Sequence, residues 1–216
     1  MSTADLANTA KVARIAPLAS NAPELDEPAL RDLVGFVGYR PNALLTMAKL
    51  PNLLQAVLAM VQAALRQEGE LTVAARFLVA CESSRSSGCY YSTVHAVHAA
   101  NHAGVAWEKL AALPHYASSP LFSEAERAAL AIASAAGRAP VLSPPDDFDR
   151  ARRWFSERQI LEIVAAASLF GWFNRWNGLM DSELERVPAE ALARVPWLCT
   201  LEAPAQGAQP QGNPHG

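Results

Sequence analysis

The chain has 216 residues, of which 51% are hydrophobic and 18% charged, and its formal net charge is −3. This composition supports a sizeable core and excludes a chain that is disordered throughout. The 18 lysines and arginines are scattered, so a nucleic-acid partner is not expected, and no stretch reaches the roughly 18 apolar residues that a membrane span requires.

Residues 1–25 are predicted to form an N-terminal arm. They are small and polar, with prolines at Pro17 and Pro23, and they have little apolar surface to bury. The arm also lacks the continuous apolar segment of a secretory signal, so we expect a cytoplasmic protein.

Helical periodicity then fills residues 26–201, which we interpret as one all-α domain. Pro41 and Pro51 occupy positions typical of the first turn of a helix. Ser123 and Glu126 have the spacing of a capping box. The predicted helices are a segment from Glu27 to the Gly35–Gly38 stretch, then 42–49, 52–67, 71–84, 89–103, 106–112, 124–136, 146–154, 157–179 and a short one opened by Pro188. Residues 202–216, rich in Ala, Gln, Gly and Pro, are predicted to be a disordered tail.

The helical hairpin from Leu71 to His102 holds two of the three cysteines and three of the five histidines. Its helices are separated by the turn Ser86-Ser87-Gly88, and the second helix opens on Cys89. An odd number of cysteines does not suit a disulfide framework and fits a reducing cytoplasm. Because most of the cysteines and histidines lie in this hairpin, we expect any catalytic site to be there.

The hairpin, the later segment FSEAERAALAIA and the closing segment FNRWNGLMDSELE together resemble the carboxymuconolactone decarboxylase and AhpD (alkylhydroperoxidase D)-like superfamily. The resemblance is strongest to its two-part peroxidase-related members and covers about residues 35–187. It implies an AhpD-like helical domain built around the hairpin, and a homo-oligomer.

In AhpD-like members, the active site contains a Cys-x-x-Cys pair at a helix N-terminus, a Glu about a dozen residues earlier and a His one turn after the second Cys. The helix dipole and the first-turn N–H groups stabilise a thiolate there, and the second Cys resolves the sulfenic acid as a disulfide. Here Cys89 matches the first cysteine, while Ser92 takes the place of the second. His95 lies three residues beyond Ser92 instead of four, and Phe77 takes the place of the Glu.

The resemblance therefore implies an antioxidant oxidoreductase of the alkylhydroperoxidase class that works with a single thiol. Cys89 would be the peroxidatic thiolate, Ser92 its hydrogen-bond partner and His95 an acid or base. Without a second cysteine at position 92, the oxidised Cys89 needs an external thiol reductant, or Cys81 from the preceding helix. Glu82 is the candidate for the missing carboxylate, although pairing with Arg85 or exposure to solvent is its simpler interpretation.

Two other classes of function stay open. A carboxymuconolactone decarboxylase-like enzyme would act on a lactone acid without a Cys-x-x-Cys pair, and a non-catalytic member would serve as a binding or assembly protein. His95, His98 and His102 share one helix face and could present imidazoles to a metal, but a face that packs or meets solvent is the favoured interpretation. We predict a small-molecule substrate and no cofactor or metal.

Overall fold

In this computed structural model, residues 13–201 are described, and within that range they form helices and turns without a β-strand. The all-α prediction is confirmed. The helices are α1 (Pro28–Val37), α2 (Asn42–Met47), α3 (Pro51–Val61), α4 (Val73–Ser86), α5 (Tyr90–His102), α6 (Trp107–Ala111), α7 (Glu124–Ala136), α8 (Pro145–Ala151), α9 (Glu157–Met180) and α10 (Arg186–Ala189).

Helix α4 lies at the centre of the domain and packs against α5, α7 and α9. Its residues from Arg76 to Ser84 are all buried, and the two charged residues among them are in ion pairs, Arg76 with Glu162 and Glu82 with Arg85. Because three long helices surround α4, the turn that leads into α5 is held on a fixed framework.

Two helix ends show how local residues begin or end the long helices. Ser123 Oγ accepts from the N–H of Glu126 at 3.2 Å and Glu126 Oε2 accepts from the N–H of Ser123 at 2.9 Å, which confirms the capping box of α7. At the far end of α9, Asp181 adopts the left-handed conformation with φ 54°. This turn reverses the chain, and residues 182–185 return toward α2 and α5.

Several predicted boundaries differ from the structure. The helix predicted over 52–67 is α3 up to Val61 and then a π-helical turn over Gln62–Arg66, and the helix predicted over 146–154 ends at Ala151. The last short helix begins at Arg186, before Pro188. A proline is tolerated there because the first-turn N–H groups have no partner within the helix.

The described part of the N-terminal arm packs on the domain. The N–H of Arg14 donates to the carbonyl of Met180 at 2.9 Å, that of Leu18 donates to the carbonyl of Leu45 at 3.2 Å, and Leu25 is buried. Residues 1–12 of the arm and the whole predicted tail, 202–216, lie outside the described residues. Among the helices of residues 13–201, none is long and apolar enough to cross a membrane.

Candidate functional site

Cys89 is the residue that caps the N-terminus of α5. The preceding Gly88 has φ 70°, and Cys89 itself is extended, so that its carbonyl accepts the first bond of the helix, from the N–H of Thr93 at 3.0 Å. Its half-buried sulfur lies 3.2 Å from Ser92 Oγ. The thiol therefore lies at the positive end of the helix dipole, beside a hydroxyl group.

Ser92 lies at the centre of a short hydrogen-bond chain. Only 1% of its surface is exposed, and its Oγ accepts from Asn177 Nδ2 at 3.0 Å. Asn177 Oδ1 in turn accepts from Ser182 Oγ at 3.1 Å. Because the Asn177 amide occupies an acceptor position of Ser92, the hydroxyl proton of Ser92 stays available for the sulfur of Cys89 when that sulfur is ionised.

The two ring nitrogens of His95 are both engaged. Tyr39 Oη lies 2.7 Å from Nδ1, and Glu185 Oε2 lies 2.7 Å from Nε2. An ionised carboxylate can only accept, so Nε2 carries a proton, and in the neutral form of the ring Nδ1 accepts from the Tyr39 hydroxyl. The ring of Tyr91 stacks on the imidazole, with 4.0 Å between centroids, and fixes its orientation.

Glu185, the N-cap residue of α10, collects three hydrogen bonds. Besides His95, it accepts from Tyr91 Oη at 2.7 Å and from the backbone N–H of Asn42. Burial, the largest single influence, opposes ionisation of this carboxyl. The hydrogen bonds from His95, Asn42 and Tyr91, together with the electrostatic interaction with the His95 ring, outweigh burial, and the net effect lowers the pKa of Glu185.

The tyrosines on either side of His95 stay protonated. Burial, followed by the charge of Glu185, raises the pKa of Tyr39 and also that of Tyr91 well above the usual value. Both hydroxyl groups are thus donors, Tyr39 toward His95 and Tyr91 toward Glu185, while Tyr91 Oη accepts from the N–H of Ala43 at 3.2 Å. With the imidazole in its neutral form, the direction of every hydrogen bond in this network is therefore fixed.

A cavity of about 80 Å³ lies against this network. Ser92, His95 and the two tyrosines contribute its polar atoms, and its remaining walls are mainly apolar. Phe77, which takes the place of the family's carboxylate, forms part of the wall and stacks on Phe36 at 5.6 Å. The apolar lining includes Leu33, Val37, Pro41, Leu44, Val61, Leu65, Phe77, Phe170 and Phe173. The cavity suits a small apolar molecule that takes one or two hydrogen bonds.

The other residues weighed in the sequence are engaged elsewhere. Cys81 is fully buried, and burial together with the charge of Glu82 raises the pKa of its thiol. Glu82 is also buried and forms a bidentate ion pair with Arg85 at 2.7 and 2.8 Å, as its simpler interpretation expects. All three cysteines of the sequence fall in the described range, and no disulfide joins them.

The histidine face of α5 does not assemble a metal site. His98 Nε2 bonds to the carbonyl of Val37 at 2.9 Å, and burial is the main cause that lowers its pKa. The ring of His102 packs edge-on against Phe36 at 5.3 Å. Across residues 13–201, no group of three or more His, Cys, Asp or Glu residues is arranged to hold a metal ion.

The sequence interpretation did not identify Glu185, Tyr39 or Tyr91 as part of the site. Glu185 is the last residue of the segment FNRWNGLMDSELE, whose likeness to the family was already a signal, and its carboxylate bonds to His95. Tyr39 lies in the turn between α1 and α2, where no periodic pattern marks it. Both reach His95 only through the tertiary fold.

Known proteins resemble the chain in sequence and in fold. The model of the carboxymuconolactone decarboxylase family matches residues 51–135. The protein YnjA of Escherichia coli (strain K12) is 37% identical over 93 residues, which is 41% of this chain and 46%, less than half, of YnjA.

The structural matches cover more of the chain. A peroxidase-related protein from Ralstonia eutropha JMP134 with an alkylhydroperoxidase AhpD core has a TM-score of 0.65 at 20% identity, over 81% of this chain and 94% of that one, which shows the fold. A Cys-to-Ala variant of the debrominase Bmp8 in complex with 2,3,4-tribromopyrrole has a TM-score of 0.78 at 33% identity, over 84% of this chain and 97% of that one. With this likeness over almost the whole debrominase and the family model on the central helices, the chain belongs to the carboxymuconolactone decarboxylase family, and its fold is AhpD-like.

Proposed function

We propose that the protein is a thiol-dependent oxidoreductase of the alkylhydroperoxidase-like class, with Cys89 as its nucleophile. The observation that carries the proposal is the position of Cys89 at the start of α5, with its sulfur 3.2 Å from a hydroxyl group, Ser92 Oγ, that borders the cavity. A helix N-terminus and a hydrogen-bond donor both favour the thiolate.

The reaction is the reduction of a small apolar hydroperoxide. The Cys89 thiolate attacks the terminal oxygen, the O–O bond breaks, and the alkoxide leaves as an alcohol after it takes a proton. The sulfur becomes a sulfenic acid, which an external thiol converts to a mixed disulfide and water. A second thiol molecule then releases the Cys89 thiolate and a symmetric disulfide.

The network around His95 is the proton source for the leaving group. The Tyr39 hydroxyl and the His95 ring both border the cavity, and their hydrogen bonds to each other and to Glu185 hold them in one geometry. The ionised Glu185 stabilises positive charge on the imidazole. When the imidazole is protonated, Nδ1 donates to the Tyr39 oxygen and the Tyr39 hydroxyl donates to the leaving oxygen, so His95 acts on the substrate through Tyr39, with Glu185 as its partner.

Reductive dehalogenation of a small aromatic ring is the second candidate. The 33% identity to the debrominase Bmp8 favours it, as do the aromatic walls of the cavity. In that reaction the Cys89 thiolate takes the halogen, the ring carbon gains a proton from the His95 network, and an external thiol displaces halide from the sulfur. Both candidates use the same thiol, the same proton source and the same two equivalents of reductant.

Turnover assays with a small thiol as reductant separate these functions. We expect the purified protein to consume cumene hydroperoxide or a brominated pyrrole, and Cys89→Ala to lose that activity. Cys199→Ser is the matched control because Cys199 is exposed and lies near the end of the described chain. Undiminished turnover by Cys89→Ala would overturn the proposal, and loss of CO₂ from a lactone acid by that variant would establish the decarboxylase-like alternative.

A further inference from the structure

Cys89 itself lines a cleft that is separate from the cavity beside His95. The cleft has a volume of about 190 Å³ and lies between the C-terminal end of α7, the middle of α9 and the turn that precedes α5. Gly137 allows the C-terminal end of α7 to pack closely on the end of α4, since a Cβ there would lie 2.2 Å from the carbonyl oxygen of Ser83. The residues that line the cleft are Ser87, Cys89, Ala136, Gly137, Arg138, Ala139, Gly171, Asn174 and Arg175.

Asn174 presents an unused amide to this cleft. The residue is only 8% exposed, and within residues 13–201 neither Oδ1 nor Nδ2 has a hydrogen-bond partner. Asn177, one turn later on the same helix, has both of its amide atoms satisfied, by Ser92 and Ser182. A buried amide without partners is uncommon because its desolvation is not compensated, so Asn174 indicates a ligand that brings a donor and an acceptor.

The positively charged side chains near Asn174 favour an anionic ligand. Arg138 and Arg175 both line the cleft, and both are exposed. Arg138 donates to Ser134 Oγ at 3.3 Å and Arg175 to the carbonyl of Gly171 at 3.1 Å, and neither forms an ion pair within the described range. Two guanidinium groups next to the positive end of α5 favour a carboxylate.

We propose that this cleft binds the reductant, a low-molecular-weight thiol that carries carboxylate groups. The inference rests on the proposed function, and it places the reductant in a cleft separate from the cavity beside His95. The carboxylate pairs with Arg138 and Arg175, and Asn174 bonds to an amide or carboxylate of the same molecule. The sulfur of the thiol then attacks Cys89, the S–O bond of the sulfenic acid breaks, and water leaves. A second thiol molecule reduces the mixed disulfide.

Alkylation of Cys89 tests the cleft without turnover. In a Cys199→Ser background, the rates with iodoacetate and with iodoacetamide compare an anionic with a neutral reagent of similar size. We expect Arg138→Gln and Arg175→Gln each to lower the iodoacetate-to-iodoacetamide ratio about threefold at low ionic strength, and salt to reduce the difference. Arg158→Gln is the matched control, because it removes the same charge about 25 Å away along α9.

An unchanged ratio in both cleft variants would overturn the inference, even if the protein turns over hydroperoxide. A second measurement compares glutathione with 2-mercaptoethanol as reductants. We expect Arg175→Gln to raise the KM for glutathione by a larger factor than the KM for 2-mercaptoethanol, and an equal change in both would also count against the cleft. Loss of the alkylation preference in the two variants of a protein without turnover would refute the proposed function and retain the anion-binding cleft.

Discussion

Replacement of Glu185 by Gln tests the hydrogen-bond network that orients His95. The carboxylate accepts from His95, from Tyr91 and from the backbone N–H of Asn42. The amide oxygen of Gln can still accept from Tyr91 and Asn42, but its NH₂ group would face the protonated Nε2 of His95. Two donors cannot bond to each other, so the proton of the ring must move to Nδ1, where Tyr39 can no longer donate.

The expected loss is that of one charge-assisted hydrogen bond. Such a bond contributes about 2 kcal/mol to the free energy of unfolding. In a chain of this size, about 1 kcal/mol corresponds to roughly 2–4 °C in melting temperature, so Glu185→Gln should lower the Tm by about 4–8 °C at pH 7. Glu183→Gln, an exposed neighbour on the same segment, removes the same charge and should leave the Tm unchanged.

The pH dependence gives a second, independent signature. The folded state lowers the pKa of Glu185, so its stabilising contribution is complete above the ordinary Glu value of about 4.3 and is lost as the pH falls through the lowered value. Denaturant titrations from pH 8 to pH 4 should therefore show a constant difference between wild type and Glu185→Gln above about pH 5, which narrows below it. If the free energies of unfolding of wild type and Glu185→Gln differ by less than about 0.5 kcal/mol at pH 7, the Glu185 carboxylate does not stabilise the fold through His95.

Three further substitutions test the contacts of Tyr39, Ser92 and Gly137. Tyr39→Phe removes the hydroxyl that donates to His95 Nδ1, and we expect kcat to fall about 10- to 100-fold with little change in Tm, as steady-state kinetics would show. Ser92→Cys restores a Cys-x-x-Cys pair where the two side chains already lie 3.2 Å apart, and a thiol count after mild oxidation should find a new disulfide with Cys89. Gly137→Ala forces a Cβ against the Ser83 carbonyl, and denaturant unfolding should record a loss of about 1–3 kcal/mol; an unaltered stability would contradict the close approach of α7.

The sequence predicts much of the fold because local rules set most helix ends. The capping residues Ser123 and Ser156 give α7 and α9 the expected first residues. The hairpin of α4 and α5 and the placement of Cys89 at a helix start also follow from the pattern of residues near the turn. Boundaries failed where no such signal exists, as at the π-helical turn after Val61.

The site is harder to predict because its residues are far apart in sequence and lie on different kinds of segment. Tyr39 and Glu185 occupy turns, and neither position belongs to a periodic pattern. Their convergence on His95 depends on the left-handed turn at Asp181, which returns Glu185 to α5. The sequence interpretation sought a carboxylate near Phe77, whereas the carboxylate that bonds to His95 comes from Glu185, 90 residues after that histidine in the chain.

Trapping of the oxidised thiol in a single turnover is the most direct test of the proposal that Cys89 reacts with the hydroperoxide. The reduced protein, free of external thiol, is treated with less than one equivalent of cumene hydroperoxide in the presence of dimedone, and the adduct is located by peptide mass spectrometry. We expect an adduct on Cys89 and one alcohol molecule for each thiol oxidised. Formation of the alcohol with Cys89 still reduced, or equally by Cys89→Ala, would contradict the proposal.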